Sequence, residues 1–310
     1  MTQYHRIGLR PLLAGASLLT GLIGAQASTP FAISAPSEPA LSKKDMRSFE
    51  VIDNKKLSED THKIRVKLPP STKLGMTVAS CLTIEADING QTVRRPYTPI
   101  STKDQEDFAE FVIKAYPPRT DGKAGGMGAH LCSLKEGDAI KMKASTSYSL
   151  VASLLGPWPK AAYEPNKFKH IGMIAGGTGL TPMLQVILEI LNNPDDNTKV
   201  TLIYANKSEG DILLKDMLDG LAAKHSNFTV VYTLDKAPWL WKGKTGFVSA
   251  DMIKEAGLST AKDADSCVYV CGPPPMMNFI SGGKGPKGSQ GEVGGVLKDL
   301  GFVSENVYKF

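Results

Sequence analysis

The sequence predicts two domains: an antiparallel β-barrel or sandwich, followed by a parallel, doubly wound α/β domain. Three observations predict it. Between Phe49 and Lys143 short strand-like runs recur with turn signals between them, the pattern of an antiparallel barrel or sandwich. From Phe168 onward apolar strands alternate with helical stretches, which implies a parallel sheet covered on both faces. Two of those strands run directly into glycine-rich turns, Ala175-Gly176-Gly177-Thr178-Gly179-Leu180-Thr181-Pro182 and Cys271-Gly272-Pro273-Pro274-Pro275-Met276. The carboxyl ends of parallel strands are where open α/β sheets bind ligands, so the two turns suggest one nucleotide held between them.

The chain starts with a segment of different character. Residues 1–37 contain no Asp or Glu, and His5, Arg6 and Arg10 precede a weakly apolar stretch from Pro11 to Ala27. At 17 residues this stretch is at the lower limit for a spanning helix. A mitochondrial presequence or anchor, an endoplasmic reticulum anchor and a secretory signal ending near Ala25-Gln26-Ala27 all remain open. Mitochondrial placement, at the outer membrane or in the intermembrane space with membrane association through residues 1–27, is the first expectation. An endoplasmic reticulum membrane is the alternative. Ser28 to Pro39 reads as a linker, so residues 1–40 are set apart from an expected barrel domain at 41–160 and an α/β domain at 161–310.

In the barrel the expected strands are His62–Leu68, Ser80–Ala86 and Phe108–Tyr116, punctuated by Pro69-Pro70, Asn89-Gly90 and Pro117-Pro118. In the second domain His170–Ala175 is a strand, and a helix is expected from Pro182 to Leu191, because proline suits a first helical position. Strand Val200–Ala205 precedes a helical stretch from Asp211 to His225. Strands Phe228–Leu234 and Cys267–Val270 complete the alternation.

Composition excludes some classes. A net charge of +5 without a basic block gives no argument for nucleic acid, though it would suit an acidic partner. The four cysteines, Cys81, Cys132, Cys267 and Cys271, form no CxxC pair, so no metal site is expected. A monomer is the default.

Four segments carry chemistry. The turn at Gly176, Gly177 and Thr178 offers free backbone N–H groups at a helix N-terminus, a setting that attracts phosphate. It lacks the Gly-Lys-Ser/Thr ending of a P-loop. Arg95-Pro96-Tyr97-Thr98 combines a guanidinium able to grip a diphosphate with a flat phenol and a short hydroxyl. Gly125-Gly126-Met127-Gly128 reads as a loop entering a short helix, a second diphosphate cradle. The fourth is the cysteine turn at Cys271. Each alone is also compatible with an ordinary turn, an exposed arginine, a plain glycine loop or a buried strand-end thiol.

Taken together and in chain order, Arg95–Thr98, Gly125–Gly128, Gly176–Pro182 and Cys271–Met276, the four segments resemble the ferredoxin–NADP reductase superfamily, and within it the NADH–cytochrome b5 reductase family. The resemblance runs from about residue 48 to the aromatic end Val307-Tyr308-Lys309-Phe310 and includes Tyr204-Ala205-Asn206-Lys207 and Thr245-Gly246-Phe247-Val248. It implies a six-stranded FAD-binding barrel and an NADH-binding second domain. It places Arg95 at the FAD diphosphate, Tyr97 near the flavin and ribityl, and Thr98 beside flavin N5, with Pro96 among the cofactor-binding residues. Val112, Lys114 and Tyr116 fall at the FAD site, Gly125, Gly126, Met127 and Gly128 on its diphosphate loop, and Thr181 reaches the flavin from the second domain. Gly176, Gly177, Thr178, Cys271, Gly272, Pro273 and Met276 fall on the NADH side, with Phe310 at the cofactor site. Thr98 and Cys271 are the expected catalytic pair, the thiol orienting the nicotinamide rather than attacking. Asp235, ending a strand, would favour NADH over NADPH through the free ribose 2′-hydroxyl. The implied acceptor is cytochrome b5 or a similar acidic haem protein, steered by lysines such as Lys43, Lys44 and Lys123. A reductase for a quinone or iron centre, and a nucleotide-binding module without turnover, are the alternatives.

Three departures stand out. Gly128 occupies a position where the family usually has serine. Ser145–Leu155 reads as an insertion, and Ser281–Gly295 as a mobile surface loop.

Overall fold

A computed structural model describes residues 38–116, 126–145, 163–258, 265–286 and 289–310. The segment 1–37, Gly125, Lys123, most of the expected insertion (146–155) and the expected domain junction near residue 160 lie outside the described residues. Among the described residues no helix is long and apolar enough to cross a membrane.

The first half is one antiparallel sheet of β1 (Arg47–Ser58), β2 (Thr61–Lys67), β3 (Leu82–Ile88), β4 (Gln91–Tyr97), β5 (Phe108–Lys114) and β6 (Ala139–Ala144), in the order β4-β3-β6-β1-β2-β5. Alternation builds it: in β2, Ile64 and Val66 are fully buried while Arg65 between them reaches outward. The β3–β4 hairpin turns at Asn89 and Gly90, both left-handed at φ 52° and 73°, the backbone that matches the twist of paired strands. The order curls into a barrel where the chain after β4 meets β5: Ile100 N–H donates to Glu110 O at 2.8 Å. A short helix, α1 (Met127–Ser133), plugs this half with Met127 and Leu131.

The second half is an all-parallel sheet of β7 (His170–Gly176), β8 (Lys199–Asn206), β9 (Phe228–Leu234), β10 (Lys244–Thr245), β11 (Ser266–Cys271) and β12 (Val307–Lys309), ordered β10-β9-β8-β7-β11-β12. Alternate residues of its central strands feed two cores. Met173 and Tyr269 pack with α2 (Leu180–Asn192) and α3 (Lys215–Lys224) on one face. Ile174, Val268 and Val270 pack with α4 (Ala250–Glu255), α5 (Pro274–Ser281) and α6 (Gly295–Asp299) on the other. The first of these cores also takes in Val78, Cys81, Ile100 and Val112 from the barrel half, so apolar packing is continuous between the two sheets.

Two local expectations need correction. Helix α2 begins at Leu180 rather than Pro182, because a 3-10 turn, Gly177–Gly179, feeds into it. The helix expected from Asp211 begins only at Lys215. Leu214 is left-handed at φ 56°, and Asp211 closes its own 3-10 turn by accepting from the Ser208 N–H and hydroxyl at 3.1 and 2.7 Å. The loop after Ser281 lies largely at the surface in its described residues, as expected, and is tied down by hydrogen bonds to β12. Lys309, fully buried on β12, donates to Gly283 O at 3.0 Å and Glu292 O at 2.7 Å, and Gln290 brackets the Lys309 backbone.

Candidate cofactor cleft

The parallel sheet reverses its winding between β7 and β11, because the chain steps outward through β8 to β10 and then returns to the other side of β7. A crevice opens at such a switch, outside the carboxyl ends of the strands. Both glycine turns lie there, pressed together. A Cβ on Gly179 would fall 2.2 Å from Cys271 O, and one on Gly176 would fall 2.5 Å from Met276 Sδ. The Tyr204 hydroxyl, fully buried, steadies the first turn by donating to Gly177 O at 3.0 Å.

Opposite the turns the barrel presents β4, β5 and the start of α1, and between them is a cleft of about 690 Å³, a size suited to a large organic cofactor. Strand alternation decides which arginine faces it. Arg94 lies across from Glu85 and pairs with its carboxylate at 2.6 Å, whereas Arg95 lines the cleft. Pro96 sits within β4, which it tolerates at an edge of the ladder order. Tyr97, Thr98, Val112, Lys114 and Tyr116 line the same wall, with Gly126, Met127 and Gly128 at one end. Burial pushes the Tyr97 phenol up, so it is neutral. Gly126 is left-handed at φ 84°. A Cβ on Gly128 would come 2.2 Å from Lys114 O, so α1 packs against β5 more closely than a serine there would allow.

The α/β wall contributes Gly176, Thr178, Thr181, Cys271, Gly272, Pro273 and Phe310. The Thr181 hydroxyl donates to Thr178 O at 3.2 Å. Burial raises the Cys271 pKa to about 12, which makes the group a thiol at neutral pH and a packing element rather than a nucleophile. Three expected residues stand off the cleft. Gly177 turns at φ 53° behind it, and Met276 wedges beneath Gly176 and Gly272. Asp235 directly follows β9, exposed, with its N–H on Asn206 O.

Other contributors could not be read from the sequence. Lys114 is held by Asp60 at 2.8 Å and Asp211 at 3.5 Å, one carboxylate from each half. Burial opposes its charge, but these carboxylates more than offset that and raise its pKa. The Tyr116 hydroxyl meets Thr178 Oγ1 at 3.0 Å. Cys81 and Lys284 also line the cleft. All four cysteines carry free thiols. The arrangement fits a flavin dinucleotide on the barrel wall. Arg95 and the glycine backbone at 126–128 provide a diphosphate cradle, and the close-packed turns at 176–179 and 271–273 leave room for a second dinucleotide's backbone-level approach.

Comparison with known proteins agrees with that geometry. Residues 48–148 match the oxidoreductase FAD-binding domain family, and residues 173–282 the oxidoreductase NAD-binding domain family. The chain is 47% identical over 268 residues to an NADH-cytochrome b5 reductase-like protein of Arabidopsis thaliana, covering 84% of this chain and 76% of that one. It is 42% identical over 301 residues to NADH-cytochrome b5 reductase 2 of Yarrowia lipolytica, covering 94% and 97%. The chain belongs to the NADH-cytochrome b5 reductase family. The crystal structure of the cytochrome b5 reductase domain of Ulva prolifera nitrate reductase superposes with a TM-score of 0.70 at 30% identity, covering 88% of this chain and all of that one. As a member of the reductase family, the protein is a flavin-dependent oxidoreductase that uses FAD and NADH.

Proposed function

We propose that this reductase takes electrons from NADH in pairs and delivers them singly to cytochrome b5 or a similar acidic haem protein. The observation that supports this most is the meeting of two dinucleotide-cradling surfaces on one cleft, Arg95 to Thr98 with residues 126–128 on one wall and the turns at Gly176 and Cys271 on the other. FAD, when bound, supplies an acceptor for hydride that can release electrons one at a time. The protein's share is alignment and electrostatics. Arg95 would hold the diphosphate, Tyr97 would offer a neutral flat face, and Thr98 would supply a hydroxyl to the flavin. Cys271 would fill space beside the nicotinamide and help orient it. Asp235, exposed beyond the cleft just after β9, would favour the unphosphorylated ribose of NADH if the adenosine end of the substrate extends that far. Residues 1–27 place the protein at a mitochondrial membrane, a reading supported by their basic, acid-free and apolar character. A reporter fused to residues 1–40 should enter the mitochondrial fraction, and its recovery in another compartment refutes that placement.

The experiment for the activity is an anaerobic titration of the purified yellow protein with NADH, followed by oxidised cytochrome b5. NADH should bleach the flavin band, and cytochrome b5 should restore it as the haem is reduced. A protein that stays colourless in added FAD overturns the reading. So does a bleached protein that leaves the haem oxidised.

A further inference from the structure

Lys284 is a cleft residue that neither the glycine turns nor the Arg95 segment accounts for. It lines the same cleft as Cys271 and Phe310 and acts electrostatically on the thiols of Cys271 and Cys81. The residue as a whole remains accessible to solvent, yet enough of its charge is withdrawn from water that burial lowers its pKa. A cation in such a place is less screened than one on an open surface.

The loop that carries Lys284 is fastened on purpose-built contacts. Lys309 on β12 has its ammonium wholly inside the protein, donating to Gly283 O, next to Lys284, and to Glu292 O across the loop. Gln290 accepts from Lys309 N–H at 2.6 Å and donates to Lys309 O at 3.1 Å. Gly294 N–H donates to Ser281 O at 2.9 Å, closing the base of the loop. A buried ammonium is costly unless hydrogen-bonded, and here its partners are carbonyls of the segment that brings Lys284 to the cleft. β12 continues at once into Phe310, whose N–H donates to Val270 O at 2.9 Å, so the fastening is referenced to the strand that ends in Cys271.

Hydride transfer would break the C4–H bond of NADH and form an N–H bond at flavin N5, leaving NAD+ and one added negative charge on the flavin ring. We propose that Lys284 is a charge-positioning residue for this transfer, held near Cys271 by the Lys309 and Gln290 fastening so that its ammonium stabilises the negative charge arriving on the flavin. The inference rests on the FAD and NADH reading of the cleft.

Its test is the flavin midpoint potential of the holoprotein, measured by spectroelectrochemistry. Lys284→Gln should shift the potential to more negative values, and Lys284→Arg should keep it at the wild-type value. Gln290→Ala, which loosens the same loop without touching a buried charge, should shift it in the same direction by less. An unchanged potential in Lys284→Gln overturns the inference while leaving the FAD and NADH reading intact. A raised KM for NADH at unchanged potential also overturns it, because the ammonium would then serve substrate binding. A wild-type protein with no flavin to titrate overturns both.

Discussion

Gly179 has no space for a side chain, because a Cβ there would meet Cys271 O at 2.2 Å and the Gly272 nitrogen at 2.9 Å. The contact is backbone against backbone, so no side chain can rotate away to relieve it. Gly179→Ala should therefore force the two turns apart, at a stability cost of about 1–3 kcal/mol. It should raise the KM for NADH more than it lowers kcat, because the turns bind and Arg95 to Thr98 lie on the other wall. Thermal unfolding and steady-state kinetics check both parts, and an unchanged KM would contradict the close approach. At this scale the sequence was readable where chemistry and spacing coincide. Arg95 was picked out through the resemblance carried by Arg95-Pro96-Tyr97-Thr98, and strand alternation then sets it apart from Arg94, which pairs with Glu85. Asp60, Asp211, Cys81 and Lys284 were not readable, because their place at the cleft depends on contacts far apart along the chain.

Among the elements, the β2–β5 ladder shows how charge supports the barrel. Glu110 on β5 accepts from Arg65 at 2.8 Å and Lys63 at 3.0 Å on β2. Burial raises the Glu110 pKa, but these two donors more than offset it and hold the carboxyl below its ordinary value of 4.5. A carboxyl depressed on folding stabilises above its unfolded pKa and loses that contribution as pH falls through the folded value. Both cations are partly exposed, so the contribution is about 1 kcal/mol. Glu110→Gln should be destabilised by that amount at neutral pH, and the gap to the wild type should close below pH 4.5; denaturant melts across pH measure it, and a gap that persists in acid rules the ion pair out. Strand periods and turn residues made most elements legible: the strand Phe228–Leu234 and the Asn89-Gly90 turn stand where expected. Helix starts were not legible, because a 3-10 lead-in before Leu180 and a left-handed Leu214 override the local propensity.

At the scale of the whole molecule, the two sheets are joined by a shared core and by polar contacts across their boundary. Gln185, buried on α2, donates to Pro99 O at 2.7 Å. Lys103 reaches Glu189, Lys114 reaches Asp211, and Tyr116 meets Thr178. The two-part architecture was legible from the change in strand rhythm near Phe168. The joint itself was not, because its partners lie tens of residues apart and carry no local pattern. The outer margins of the parallel sheet have a further consequence. β12 is three residues long and pairs with Val268–Val270 of β11, whereas β10 is two and pairs only with Thr233 and Leu234 of β9. An edge strand as short as β12 gives a second chain little template for strand addition. The margin beside the strand that ends at Cys271 is thus a poor place for intermolecular pairing, so the cleft can face a partner without a long backbone edge next to it.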